Sequence, residues 1–190
     1  MTDLAPMGAL GTPVPATARF GALSLTENTA LMLISVATRP GTPAPHPLGL
    51  RLPGPGGWSP GHGAGAFWTG PGQWMIETEV PDHAERLRDA ILSAPGARLT
   101  DQSSGWVCFE VVSSEGAGPI RALLEKTVNL APDQIAPGRA TRTLLHHMGC
   151  IVIRRAEDRL AVLAPRSQAE SLWHALCQTA ERMPGAMALA

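Results

Sequence analysis

Residues 53–76, PGPGGWSPGHGAGAFWTGPGQWMI, concentrate the patterns in this chain that could do chemistry. Gly57-Trp58-Ser59-Pro60-Gly61 fits G-x-S-x-G, a nucleophile elbow that presents its serine on a strand-to-helix turn. Gly61-His62-Gly63-Ala64-Gly65-Ala66 fits a loose dinucleotide fingerprint, which needs a strand before it and a helix after it. Neither context is met. Proline follows Ser59 directly, and the glycines run into a β-rich segment rather than a helix. The stretch is therefore expected to be a permissive loop leading into a strand. A second constellation is His146-His147-Met148-Gly149-Cys150. On a helix, His146 and Cys150 would be neighbours able to share a metal ion. Gly149 and the run Ile151-Val152-Ile153 instead predict a strand. There the pair would lie roughly 13 Å apart along one face, too far for one ligand shell. His146 and His147 would point to opposite faces, so no metal site is expected.

The elements that would hold these residues follow from period and punctuation. ALMLISVATR reads as a strand, and prolines and glycines then interrupt residues 39–66. AFWTG, the turn pair Pro71-Gly72 and WMIETEV read as strand, turn and strand. In PDHAERLRDAILSAPG, Ala84, Leu87 and Ile91 share one helical face, Pro81 suits the first turn, and Pro95-Gly96 follows the end. WVCFEVV is a strand. GPIRALLEKTV is a helix with Ile120, Leu123, Leu124 and Thr127 inward. TRTLLHHMGCIVIRR and RLAVLAP read as one strand pair about the turn Ala156-Glu157-Asp158. A last helix is expected from Ser167, with Ser167 and Glu170 as a capping box and Ala169, Leu172, Trp173, Leu176 and Ala180 as the buried stripe. The fold class is α+β, helices packed on mostly antiparallel sheet.

Composition bounds the rest. The chain has 190 residues, 44 % of them apolar, and a net charge of -1, so no overall field draws it to nucleic acid or an anionic membrane. Its best apolar run, ALMLISVA, is far short of a membrane span. Three cysteines, Cys108, Cys150 and Cys177, with no C-x-x-C pair, point to a reducing compartment, and the N-terminus lacks a signal-peptide pattern. The expectation is a cytoplasmic protein. Residues 1–18 and 183–190 read as flexible tails around one domain at 19–182. No carboxylate pair, Ser/His/Asp arrangement or phosphate loop stands out.

Three segments together resemble a known family: AFWTGPGQWMI (66–76); LTDQSSGWVCFEV (99–111), with Gly118-Pro119 and IRALLEK after it; and APGRATRTLLHHMGCIVIRR (136–155), with LAVLAPRSQAESLWHALCQTA (160–180) after it. In this order they resemble the gamma subunit of heterotetrameric sarcosine oxidase over residues 20–182, a family related to the glycine cleavage aminomethyltransferase. The resemblance implies a folate-enzyme-like fold of two small subdomains, used as a non-catalytic subunit. It implies alpha, beta and delta partner subunits carrying FAD, FMN, NAD, tetrahydrofolate and zinc, with no cofactor on this chain. The complex would demethylate sarcosine oxidatively to glycine, yield peroxide and pass the one-carbon unit to tetrahydrofolate. Dimethylglycine or N-methylproline are alternative substrates. Trp68, Trp74, Arg142, His146 and His147 are the interface candidates. The alternative is a stand-alone folate-binding or methyl-transfer protein of the aminomethyltransferase superfamily. On that reading Asp101 is the polar anchor and Arg139 or Arg142 faces the glutamate tail of folate, Asp101 otherwise capping a turn.

Overall fold

The structure, a computed structural model, describes residues 7–184. Of the expected tails, residues 1–6 and 185–190 lie outside the described residues. In chain order the elements are β1 (Thr17–Phe20), β2 (Leu23–Glu27), β3 (Met32–Thr38), β4 (Trp58–Gly61), β5 (Ala64–Gly70), β6 (Gln73–Thr78), α1 (Pro81–Leu92), β7 (Ala97–Asp101), β8 (Trp106–Ser113), α2 (Ala117–Thr127), β9 (Arg139–Leu145), β10 (Met148–Ala156), β11 (Arg159–Pro165) and α3 (Ala169–Glu181). Strand β1 starts inside the stretch expected as a tail. Ahead of it, Ala9 and Leu10 pack on the core, and the Ala9 amide donates to Glu27 at 2.5 Å.

The strands form a six-stranded sheet, β1-β2-β8-β11-β10-β9, and a five-stranded sheet, β4-β5-β6-β3-β7. Every pairing is antiparallel, so the α+β class expected from the sequence is the one observed. The two sheets pack face to face, with α2 and α3 on the outer face of the larger sheet and α1 on the outer face of the smaller. Strand periodicity sorts the side chains between these layers. On β8, Val107, Phe109 and Val111 face the helices, while Cys108 faces the other sheet. On β6, Trp74 and Ile76 face α1 and Met75 faces inward. On β10, Cys150 and Val152 face the helices while Ile151 and Ile153 face inward. The inner core of Leu33, Phe67, Met75, Cys108, Ile151, Ile153 and Leu163 therefore belongs to both sheets. Among the described residues no helix is long and apolar enough to cross a membrane.

Helices α1 and α2 bury the residues their periodicity predicts: Ala84, Leu87 and Ile91 in one, and Ile120, Leu123, Leu124 and Thr127 in the other. Three expectations are corrected. Residues 58–61 are not loop but β4, an edge strand paired with β5, which is where Pro60 is tolerated. The glycine-rich segment is thus a hairpin turning at His62-Gly63, with Gly63 at φ +71. The second is the stretch 141–155, which is two strands rather than one. It reverses at His146-His147, both in the left-handed region at φ 44 and 70, and Leu145 pairs with Met148. This two-residue turn demands positive φ at both positions, and histidine supplies it without the Asn-Gly signature that would have announced it. Third, Ser167 lies within a short 3-10 turn, Arg166–Gln168, so the residue before α3 is Gln168 and no side chain caps the helix. The stripe of α3 buries Ala169, Leu172, Leu176 and Ala180. Trp173 is half-buried beside it, its ring 5.1 Å from that of Phe109.

Candidate functional site

The period-2 alternation that fills the inner core also delivers three charged side chains to it. Two residues beyond Met75 on the inward face of β6 stands Glu77; two beyond Cys108 on β8 stands Glu110; two beyond Ile153 on β10 stands Arg155. A β-bulge against β11 between Arg154 and Ala156 sets Arg155 apart from the regular ladder. The guanidinium donates to Glu77 through Nε at 3.2 Å and Nη2 at 2.7 Å, and to Glu110 through Nη1 at 2.5 Å. The Glu77 side chain is 5 % exposed and that of Arg155 18 %, so both charges are largely out of water. Other donors reach the same carboxylates. Trp58 donates its indole N–H to Glu77 at 2.7 Å. Asn28 donates to Glu110 at 3.2 Å and to Glu79 at 2.7 Å, and the Cys108 thiol donates to Glu110 at 3.4 Å.

Electrostatics follow from this packing. Burial opposes the charge on Arg155, but the carboxylates of Glu77 and Glu110 outweigh it and hold the guanidinium protonated above its ordinary range. Burial first, and then the Glu110 carboxylate, push the Cys108 thiol well above its ordinary value, so it is no thiolate at neutral pH. Gly65 sits over the cluster, where a Cβ would lie 2.7 Å from Glu77 Oε1 and 2.9 Å from Trp58 Nε1. A hollow of about 300 Å³ opens beside it, lined among others by Leu31, Trp58, Glu77, Glu79 and Arg155. The cluster clamps the two sheets together. Its one guanidinium is shared between two carboxylates, and the Cys108 thiol that donates to Glu110 stays protonated at neutral pH.

The residues singled out from sequence fall elsewhere. Asp101 ends β7, where its Oδ1 accepts the Ser103 amide at 2.9 Å and its Oδ2 accepts from Arg88. The Ser103 amide and hydroxyl hold its carboxyl below the ordinary value. Arg139 and Arg142 lie on β9 at the opposite side of the molecule's sheet arrangement. The start of β9 docks on the β4 edge of the smaller sheet through a Gly57–Arg139 bridge, and β7 is that sheet's other edge. Four strand spacings, roughly 19 Å, separate the two edges. Asp101 therefore stands apart from Arg139 and Arg142, and the three do not converge on one ligand shell. Trp68, Arg139 and Arg142 do come together, around a separate hollow of about 260 Å³. Trp74 is buried and donates its indole N–H to the Pro53 carbonyl at 2.8 Å. His146 and His147 are exposed at the β9–β10 turn. Ser59 donates to the Arg51 carbonyl, 2.5 Å away, and no helix begins behind it. Among the described residues no three His, Cys, Asp or Glu side chains are grouped to hold a metal ion.

Among solved structures, a chain of heterotetrameric sarcosine oxidase from Corynebacterium sp. U-96, in complex with pyrrole 2-carboxylate, superposes with a TM-score of 0.70. The match covers 86 % of this chain and 87 % of that one at 21 % identity. The two share one fold. The glycine cleavage system aminomethyltransferase T from Bartonella henselae superposes with a TM-score of 0.58 at 12 % identity, covering 84 % of this chain. Only 46 % of the transferase is covered, so the chain spans about half its length. No family model and no curated protein matches the sequence. The sarcosine oxidase–aminomethyltransferase fold expected from the quoted motifs is the one observed.

Sequence reasoning missed Glu77, Glu110, Arg155 and Asn28 as a group. A usable signal was present: each charged residue continues an alternating inward series of apolar residues, where a solvent-facing polar residue would break phase.

Proposed function

We propose that this chain is the gamma-type subunit of a sarcosine oxidase-like complex and braces that assembly without carrying out chemistry itself. The observation that carries this reading is the end-to-end correspondence with one chain of a sarcosine oxidase, against correspondence with only half of a transferase. The residues fit a bracing role: the largest charged cluster joins two sheets and spends every ion on a partner within the chain. On this reading the alpha, beta and delta partners hold FAD, FMN, NAD, tetrahydrofolate and zinc. The complex converts sarcosine to glycine, with peroxide formation and capture of the one-carbon unit by tetrahydrofolate. Dimethylglycine and N-methylproline remain substrates of the same type, since the substrate pocket belongs to another subunit.

The test is purification of the tagged chain from its native host at moderate salt, with a gel and an absorbance spectrum of the eluate. Larger chains with flavin absorbance in stoichiometric amount are expected, followed by sarcosine-dependent peroxide production. A colourless chain eluting alone, with a melting temperature raised by tetrahydrofolate, would replace this reading with a stand-alone folate-binding protein.

A further inference from the structure

The hollow at the seam between the two sheets has a different character from the interlayer clamp. It forms because the approach to β4 zips onto the start of β9. Trp58 N–H donates to the Gly138 carbonyl at 2.8 Å, and Ala140 N–H donates to the Gly56 carbonyl at 3.1 Å. This brings Trp68 and Thr69 of β5 against Arg139, Arg142 and Ile151. Arg139 and Arg142 stand three apart, on opposite faces of β9, yet both reach the hollow because β9 is an edge strand. Gly56, at φ +65, lets the Arg139 guanidinium lie on its bare Cα; a Cβ there would be 2.9 Å from Nη2.

Among the described residues neither guanidinium has a hydrogen bond or an ion pair, and Arg139 Nε is buried without a partner. Arg88, Arg154 and Arg155 each pair with a carboxylate. No acidic side chain lines the seam hollow. Two unneutralised guanidinium groups beside an indole and an isoleucine make a site for an anion with an apolar body. The fork of an arginine matches a carboxylate, and the indole face covers a flat frame.

We propose that this seam hollow binds a carboxylate on a flat apolar body, the anion held by Arg139 and Arg142 and the body set against Trp68 and Ile151. At about 260 Å³ the hollow suits a group the size of benzoate and not a larger cofactor. The carboxylate belongs to a free small molecule, since an Asp or Glu side chain of a partner has no flat body to set against Trp68. The site stands on the lone chain's geometry and does not depend on the subunit reading.

The test titrates the full chain, labelled at its tryptophan indole nitrogens, with benzoate, benzamide and phosphate, and assigns the Trp68 signal through Trp68→Phe. Benzoate should move the Trp68 indole resonance saturably, and the other two should not. Arg142→Ala, at an exposed position, should fold as the parent does and weaken benzoate by about tenfold or more, the worth of a charged hydrogen bond. Arg139→Lys should weaken it as well, because a point charge cannot replace the fork. Benzamide or phosphate acting as well as benzoate, or Arg142→Ala leaving the titration unchanged, would overturn the proposal. A second arm repeats the titration on the co-purified complex. A retained response identifies a free carboxylate as the ligand. A response lost in the complex would mean that a partner covers the hollow and would overturn the assignment of a free carboxylate.

Discussion

Arg155 and Arg139 stand on adjacent strands of one sheet, and their surroundings are opposite. Arg155 follows the bulge on β10, points between the sheets and spends its guanidinium on Glu77 and Glu110. Arg139 opens β9, lies on a glycine at the sheet edge and meets no acid among the described residues. The first arrangement encloses charge and satisfies it within the chain. The second leaves charge at a hollow open to the outside. A buried arginine ringed by its own carboxylates holds layers together; an arginine without them, beside an aromatic wall, is positioned to meet something else.

The sharpest way to break this comparison is to remove Arg155. Truncation leaves Glu77 nearly enclosed with no counter-charge, and breaking a buried pair from one side costs about 3–5 kcal/mol. For a chain of this size Arg155→Met should lower the melting temperature by roughly 6–20 °C. Because the loss comes from stranded carboxylates, adding Glu77→Gln to the same chain should recover part of it. An Arg155→Met protein that melts with its parent would mean the cluster does not clamp the sheets. Next in size is Gly65→Ala. Its Cβ would meet the Glu77 and Trp58 side chains at under 3 Å, and both are held by the hydrogen bonds of the cluster. Overpacking of this kind costs about 1–3 kcal/mol, read as a lower urea midpoint. An unchanged midpoint would show that the Glu77 and Trp58 side chains can give way without loss of the cluster.

The difference between the two arginines also explains what was legible in the sequence. Local periodicity made the helices readable: Ala84, Leu87 and Ile91 needed only one turn-by-turn count. The motif order made the overall fold readable. The clamp was not, because its members are 45 and 78 residues apart and meet only once two sheets are stacked. The seam was half readable. Arg139, Arg142 and Trp68 were each singled out, but their meeting depended on β4, and its Pro and Gly content hid that strand. The hairpin turn was hidden for another reason. His146-His147 carries no glycine, Asn or Asp to mark a two-residue turn, so the chain reads as one long strand through it.

That turn offers a gentler probe, since it joins the strand of Arg142 to the strand of Arg155. His147 sits at φ 70, where its Cβ is disfavoured. His147→Gly removes that strain but loosens the unfolded chain, so the net gain should be about 0.5 kcal/mol, seen as a slightly higher urea midpoint. A loss of stability would mean that the imidazole makes a compensating contact at the turn.

The smallest expected effect tests the seam from the stability side. Arg142 is exposed, and among the described residues it has no partner to strand, so Arg142→Ala should change folding stability by less than about 0.5 kcal/mol. Set against Arg155→Met, the same loss of a guanidinium would then differ roughly tenfold in its effect on folding. The two should also part in salt. A largely buried pair is screened little, so the Arg155→Met deficit should persist at high ionic strength, whereas carboxylate binding at the open seam should weaken as salt rises. If Arg142→Ala instead destabilises the chain by more than about 1 kcal/mol, the residue is part of the fold's own packing. The contrast between an enclosed and an open arginine would then fail at the seam, while the interlayer clamp would stand as before.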